Sequence, residues 1–135
     1  MVSEQEHIRI VQDLYTAFGR GDIPGVLSRL SEDVEWDVTG PQETSYAGTR
    51  HGKSQVVEFF TVLGQTVEVQ QFEPREFLSQ GDTVAVVGHE RLCIKATGRV
   101  AENDWVMIFT VRNGLVVKFR EYDDTEAVAA AFRGA

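Results

Sequence analysis

Apolar residues recur every three or four positions near the start of the chain and predict an amphipathic helix. The positions on its apolar face are Ile8, Val11, Leu14, Tyr15 and Phe18. Ser3 and Glu6 have the spacing of a capping box at its beginning. The glycines of "GRGD", residues 19–22, end it. Asp22 then caps a short second helix, which tolerates Pro24 in its first turn.

Strict alternation in "DVEWDV", residues 33–38, predicts a strand with one buried face. That face carries Val34, Trp36 and Val38, whereas Asp37 points to the other side. Residues 39–52, rich in glycine and small polar residues, predict a loop. Residues 54–64 predict a third helix, whose apolar face carries Val56, Phe60 and Leu63 and which Gly64 ends.

The second half of the chain has the pattern of an antiparallel sheet. Strands are predicted over residues 66–79, 83–96, 100–111 and 115–122. Asn113-Gly114 predicts a two-residue hairpin turn, because that turn needs positive φ at both central residues. Residues 123–134 predict a closing helix. Helices gathered before an antiparallel sheet favour one α+β domain over residues 1–135.

Composition and charge indicate which partners and which cellular location to expect. A formal net charge of −8 disfavours nucleic acid as a partner, since an acidic surface repels phosphates. No apolar run approaches the ~20 residues that cross a membrane. The N-terminus lacks a signal-peptide pattern, and Cys93 has no second cysteine to pair with. We therefore expect a cytoplasmic protein with no nucleic acid or membrane partner.

Three segments carry a resemblance to a known family. "LYTAFGRGDIPGVLSRLSEDVEW", "YAGTRHGKSQVVEFF" and "NDWVMIFTVRNGLVVKFREYDDT" resemble the SnoaL-like polyketide cyclases. These belong to a superfamily with the ketosteroid isomerases, the limonene epoxide hydrolases and the nuclear-transport-factor-2-like domains. The resemblance implies a curved sheet packed on helices, a cystatin-like α+β barrel that forms a cone with an apolar pocket. It also implies a homodimer, which we expect to form through the outer face of the sheet.

The isomerase site is poorly matched. The resemblance places the isomerase base at Val38, with Asp37 one step away on the other face of the strand. The isomerase tyrosine falls at Leu14, beside Tyr15, and the second acid falls near Met107. Dienolate chemistry of the isomerase type is therefore disfavoured.

The epoxide hydrolase site is about half matched. Arg91 in "HERLCIK" stands where the family has the arginine of an Arg-x-Asp pair, but Cys93 replaces the aspartate. Glu121 corresponds to the aspartate of the last strand, and Trp36 to an aromatic residue that holds water. Asp37 replaces the missing aspartate only if it faces inward.

Cyclase chemistry needs less, because one base that removes a proton next to a carbonyl suffices. Glu121 is the first choice, with Asp123 or Asp124 second. Glu121 shares a strand face with Val117 and Phe119, and burial raises the pKa of a carboxyl toward that of a useful base. The alternative is a structural ion pair between Glu121 and Arg91.

Asp123 and Asp124 are better explained as helix caps. Asp123 and Glu126 have capping-box spacing, and Asp124 is the alternative cap. An acidic metal site would be a further possibility, but no motif containing histidine accompanies these residues. We therefore expect neither a metal nor a cofactor.

Further candidates follow from strand and helix faces. His89 shares its strand face with Arg91 and Cys93, so it is a candidate to assist them inside the sheet, or else a surface residue. Tyr15 either offers a hydroxyl donor or belongs to the core. The larger apolar side chains are candidates to line a pocket for a flat apolar ligand. The alternative is that they only pack in the hydrophobic core. These are Trp36, Val38, Tyr46, Phe60, Trp105, Met107, Phe109 and Phe119.

The leading functional hypothesis is a cofactor-free acid–base enzyme, a cyclase or isomerase in the broad sense. Its substrate would be a small hydrophobic or aromatic carbonyl compound. Glu121 would be the base or proton shuttle, and Arg91, with His89 or Tyr15, would polarise the carbonyl. Two alternatives are a non-catalytic ligand-binding or assembly module and a diverged epoxide hydrolase.

Overall fold

The structure is a computed structural model that describes residues 3–133, within which four helices and six strands form. The helices are α1 Glu4–Gly19, α2 Ile23–Leu27, α3 Gly52–Thr66 and α4 Thr125–Arg133. The strands are β1 Leu30–Val38, β2 Gly48–His51, β3 Val67–Gln80, β4 Thr83–Ile94, β5 Val100–Arg112 and β6 Leu115–Tyr122. No helix in this part of the chain is long and apolar enough to cross a membrane.

The predicted caps and turn are present. The Ser3 hydroxyl accepts a hydrogen bond from the backbone N–H of Glu6 at 3.1 Å, which satisfies a free donor at the start of α1. Asp22 does the same for Gly25 at 3.0 Å. Asn113 and Gly114 have φ of 53° and 77°, as the predicted hairpin between β5 and β6 requires.

The six strands form one curved, unclosed sheet in the order β2-β1-β6-β5-β4-β3. Strands β3 to β6 make the predicted antiparallel meander. The predicted α+β class is confirmed, with two differences in detail. Strand β1 pairs with β6 in parallel, which places Trp36 beside Phe119. Part of the predicted loop is strand β2, because residues 48–51 pair with the open edge of β1.

One core lies between the sheet and the helices, with α1 against β3 and β4 and α3 against β1. The even-numbered residues of β4 face this core, and the largest are Val84, Val86, Leu92 and Ile94. The odd-numbered residues of β5 face it too, including Trp105 and Phe109. A polar side chain therefore reaches the interior if it stands at an even-numbered position of β4 or at an odd-numbered position of β5.

Candidate active site

A narrow apolar cavity lies between α1, α3 and the inner face of the sheet, with a free volume of about 50 Å³. That volume holds a few water molecules, at about 10–15 Å³ each. Glu90 and Glu121 are the only acidic residues among those that line it, and no Arg, Lys or His lines it within residues 3–133. The other lining residues are Leu14, Tyr15, Phe18, Trp36, Tyr46, Phe59, Phe60, Leu63, Val69, Phe72, Leu92, Met107, Phe109 and Phe119.

Most of the apolar residues predicted to contact a ligand lie in this wall. They are Trp36, Tyr46, Phe60, Met107, Phe109 and Phe119. Val38 and Trp105 are buried in the core but do not line the cavity. Trp105 instead stacks behind the wall on Phe72, with ring centroids 5.2 Å apart. Contact of the lining residues with a ligand stays a prediction.

Glu121 lies on the inner face of β6, two positions after Phe119, and is only 6% exposed. Strand alternation predicted this orientation, and the structure places the side chain there. Burial raises the pKa of Glu121 well above its usual range, because the charged form loses water, and the nearby charge of Asp123 raises it further. Glu121 is therefore a carboxylic acid that faces an apolar space.

Glu90 is a second buried carboxyl of the cavity, and sequence reasoning missed it. It lies on β4 with 6% exposure. Burial raises the pKa of Glu90 to about 7, although a hydrogen bond from Asn103 opposes the change. The sequence does contain a signal for its burial, because Glu90 lies at alternate positions from Leu92 and Ile94 and therefore on the same face of the strand.

The predicted inward orientation of Arg91 is wrong, and of the two alternatives for His89 the structure shows the surface residue. Arg91 lies on the outer face, where its Nη1 is 3.1 Å from Glu102 and its Nε donates to Gln70 at 2.9 Å. The imidazole of His89 lies between the carboxylates of Asp104 and Glu102, at 2.8 and 2.7 Å.

Leu92 and Ile94 force this result, because their burial turns the odd-numbered positions of β4 outward. The predicted Glu121–Arg91 ion pair therefore does not form.

The two aspartates after β6 have different environments. Asp124 caps α4, since its Oδ1 accepts from the backbone N–H of Ala127 at 3.2 Å. Asp123 was predicted to cap the helix as well, but its Oδ1 accepts from Asn103 Nδ2 at 2.9 Å. Burial raises the pKa of Asp123, while hydrogen bonds from Glu121 and Asn103 oppose the change. Asp123 therefore belongs with Glu121 rather than with the helix end.

Glu90, Glu121 and Asp123 form an acidic cluster at the polar end of the cavity. One carboxyl oxygen from each lies within 4.8 Å of the others. Groups this close share protons, since two neighbouring carboxylates resist ionising together. The expectation of no metal at these residues stays a prediction.

Two tyrosine hydroxyls approach the cluster from the opposite wall. The Tyr15 hydroxyl donates to Met107 Sδ at 3.2 Å. The Tyr46 hydroxyl and Trp36 Nε1 are buried and have no hydrogen-bond partner among residues 3–133. Burial, followed by the charges of the acidic cluster, raises the pKa of both tyrosines, so both hydroxyls stay protonated. The Tyr46 hydroxyl is therefore a neutral donor for a bound molecule, whereas the Tyr15 hydroxyl already donates to Met107.

Asp37 faces outward, as predicted from alternation. Its carboxylate accepts from the Thr49 hydroxyl at 3.0 Å and lies 3.4 Å from Arg120 Nε. Asp37 therefore does not replace the aspartate that an epoxide hydrolase needs, and Arg91 is also outside the cavity. The cavity wall formed by residues 3–133 therefore lacks both the arginine and the second aspartate that epoxide hydrolysis would require of Arg91 and Asp37.

An open groove of about 600 Å³ lies outside the cavity, between the end of α1 and β3. It shares Tyr15, Phe18, Val69 and Phe72 with the cavity wall. Phe18 and Phe72 touch edge to face, with centroids 5.1 Å apart. These two rings therefore lie where the groove adjoins the cavity.

Solved structures of several other proteins are similar to this chain over nearly its whole length. A nuclear-transport-factor-2-like protein from Burkholderia xenovorans is 40% identical, with 98% of this chain and 99% of that chain covered and a TM-score of 0.87. TerC, co-crystallised with polyporic acid, is 28% identical, with coverages of 96% and 99% and a TM-score of 0.86. A protein of unknown function with a cystatin-like fold from Xanthomonas campestris is 23% identical, with coverages of 96% and 98% and a TM-score of 0.78.

A search of the curated proteins finds no significant match. The family model described as the SnoaL-like domain matches residues 11–119, which is most of the chain. This match runs from the middle of α1 to the middle of β6, and it includes α3 and strands β1 to β5. The chain therefore belongs to the family of SnoaL-like domains.

Proposed function

We propose that this protein is a cofactor-free acid–base enzyme that acts on a small hydrophobic or aromatic carbonyl compound by cyclase or isomerase chemistry. One observation carries the proposal: two buried carboxyl groups, Glu90 and Glu121, face the same aromatic-lined cavity. A carboxyl with a pKa near the working pH is a good general base, and one that stays protonated is a hydrogen-bond donor.

The two carboxyls would have different roles. The Glu90 carboxylate takes a proton from the carbon next to the carbonyl. The electron pair of that C–H bond becomes the C=C bond of an enol, while the carbonyl oxygen takes the proton of Glu121. In a cyclase the enol carbon then attacks a second carbonyl, the enol hydroxyl returns its proton to Glu121, and the oxygen of the second carbonyl takes the proton that Glu90 holds. In an isomerase Glu90 instead gives its proton to a carbon of the enol, and the hydroxyl returns its proton to Glu121. Tyr46 supplies an uncharged donor in place of the predicted Arg91.

The cavity also supports the substrate class. Its wall is largely apolar and more than half aromatic, and within residues 3–133 its only acidic or basic groups are carboxyls, so an apolar neutral molecule fits it better than an anion. The similar protein TerC co-crystallises with polyporic acid, which favours a small organic molecule as the ligand here. A larger substrate would extend past Phe18 and Phe72 into the outer groove.

Exchange of α-hydrogens tests the proposal without knowledge of the natural substrate. Propiophenone and 1-tetralone are incubated with the protein in D₂O, and loss of their α-proton signals is followed by ¹H NMR. The wild type should accelerate exchange. Glu121→Gln and Glu90→Gln should each reduce the acceleration by about 10²- to 10⁴-fold, the usual contribution of one general acid or base.

Glu102→Gln is the matched control, because Glu102 is a carboxylate on the outer face of the same sheet. It should exchange at the wild-type rate. Wild-type rates in both cavity variants would contradict the proposed roles. Ketones that raise the melting temperature but do not exchange would contradict catalysis.

That last outcome would favour the second candidate, a non-catalytic ligand-binding module. The observation behind this candidate is that Arg91 lies outside the cavity, so no cation of residues 3–133 stabilises an oxyanion there. The small free volume of the cavity also favours the non-catalytic candidate. The rings of Trp36 and Phe119 stack with centroids 4.0 Å apart and occupy much of the space.

A further inference from the structure

Asn103 lies at the centre of the acidic cluster, and its side chain is fully buried on β5. Its Nδ2 donates to Glu90 Oε2 at 2.7 Å and to Asp123 Oδ1 at 2.9 Å. Both N–H bonds of one amide are therefore directed at two different carboxyls, and each has ordinary hydrogen-bond length.

A hydrogen bond to the amide oxygen of Asn103 fixes the orientation of its side chain. The backbone N–H of Asp124 donates to Asn103 Oδ1 at 2.8 Å. A flipped amide would face that N–H with its own NH₂ group and would direct its carbonyl oxygen at two carboxyls. The hydrogen-bond network therefore allows a single orientation, with the NH₂ group toward Glu90 and Asp123.

Glu121 has a different partner. It receives no hydrogen bond from Asn103, and one of its carboxyl oxygens lies within 4.8 Å of a carboxyl oxygen of Asp123. Two carboxyl groups this close resist ionising together, so the pair holds one proton. An N–H donor stabilises the ionised form of its acceptor, so the proton rests on the partner that lacks such a donor.

We propose that Asn103 is a positioning residue that decides where the protons of the acidic cluster reside. Its two N–H groups favour ionised Glu90 and Asp123 and leave Glu121 as the carboxylic acid that faces the cavity. This inference rests on the proposed function and deepens it, because it assigns base and acid to particular side chains.

The surroundings of the cluster agree with this assignment. Burial raises the pKa of all three carboxyls, whereas the Asn103 hydrogen bond lowers the pKa of Glu90 and of Asp123 but not that of Glu121. Among the described residues, Tyr15 on α1 and Tyr46 ahead of β2 are the other titratable groups of the cavity wall that interact with the cluster, and both stay neutral. The charge of His89, on the outer face of β4, also acts on Glu90 and lowers its pKa. Within residues 3–133 no cation lines the cavity, so donors such as Asn103 are what stabilise negative charge here.

The test is a ¹³C NMR titration of protein labelled at the Glu and Asp carboxyl carbons. Signals of the cluster are assigned with Glu90→Gln, Glu121→Gln and Asp123→Asn. In the wild type, Asp123 should ionise first, Glu90 next and Glu121 last. This order alone tests the proposal, whatever the stability of any Asn103 variant. Ionisation of Glu121 before Asp123 would overturn it.

Asn103→Leu removes both N–H groups while it keeps the size and adds no charge. The titration midpoints of Asp123 and Glu90 should each rise by about one pH unit, a tenfold change in proton affinity. Asp124→Ala is the control, because it removes the cap of α4 but keeps the backbone N–H that orients Asn103. Its midpoints should match the wild type.

Midpoints of Asp123 and Glu90 that are unchanged in Asn103→Leu would also overturn the proposal. The titration requires no substrate, so its result is separate from that of the exchange assay. A protein that fails to exchange ketones but titrates in the expected order would refute the function alone. A protein that exchanges ketones with another order would refute only the role of Asn103.

Discussion

At the scale of single residues, Glu90 is an acid that the fold makes hard to ionise. Burial raises its pKa from 4.5 to about 7. The folded state therefore holds a proton on Glu90 at pH values where the unfolded chain has released it. The resulting stability is fully present below pH 4.5, and it is lost as the pH rises through 7.

We expect the free energy of unfolding to fall by about 3 kcal/mol between pH 4.5 and pH 8 on account of Glu90, since each pH unit in the window contributes ~1.4 kcal/mol. Urea unfolding at several pH values measures this slope. Glu90→Gln should reduce the slope by this amount, because Gln stays neutral and still accepts from Asn103, whereas Glu121 and Asp123 keep their own contributions. Glu102→Gln should keep the wild-type slope, and an equally steep slope in Glu90→Gln would contradict the assignment.

The burial of Glu121 could be predicted from β6 alone, because Phe119 two positions earlier is apolar and Arg120 and Tyr122 take the other face. The orientation of Arg91 could not be predicted by matching its strand to a family pattern. Both faces of β4 carry some apolar residues, so local alternation there is weak. The larger side chains Leu92 and Ile94 decide which face is buried.

At the scale of elements, the pairing of β4 with β5 depends on a close approach at Gly88. Gly88 lies opposite Trp105 in the register of the two strands. A Cβ atom at position 88 would overlap the indole ring of Trp105 and lie 2.7 Å from the backbone oxygen of Glu73. Glycine is therefore required here by the neighbouring strands rather than by its own backbone angles.

Gly88→Ala should lower the free energy of unfolding by about 1–3 kcal/mol, the usual cost of overpacking a core. Gly64→Ala in α3 is the control, since a Cβ there meets no atom within 4 Å. It should raise stability by about 0.5–1 kcal/mol, because alanine favours helix. Urea unfolding measures both, and a neutral Gly88→Ala would contradict the predicted overlap.

The predicted helices and strands agree well with the observed elements because local signals define their ends. Ser3, Asp22 and the Asn113-Gly114 pair act within a few residues of one another. Strand β2 lacked such a signal. Its four residues form a strand only because β1 offers an open edge, which is a long-range contact.

At the scale of the whole molecule, the outer face of the sheet carries an apolar patch made by Leu78, Ala85, Val87, Val106 and Ile108. The strand register places Leu78, Ala85 and Ile108 in one row and Val87 beside Val106 in the next. Leu78 is 58% exposed. An exposed apolar patch of this kind favours association with another protein surface.

We expect a homodimer through this outer apolar patch, measurable by analytical ultracentrifugation at micromolar concentration. Ile108→Glu should give a monomer, because a charge buried in the interface has no partner. Asp33→Arg, a charge change on β1, should leave the dimer intact. A wild type that sediments as a monomer at 100-fold higher concentration would refute the expectation.

Local pattern alone determined the α+β order of elements, the inward face of β1 and the burial of Glu121, because caps, turns and alternation act over a few residues. Strand parity with Leu92 and Ile94 indicated that Glu90 is buried and Arg91 is not, but only the tertiary structure decided that Glu90 meets Glu121 and Asp123 at one cavity. It also brought Asn103 of β5 between a carboxyl of β4 and one beyond β6. Those contacts join residues 13 and 20 positions apart. They depend on strand register and on exclusion of water, which only the assembled core provides.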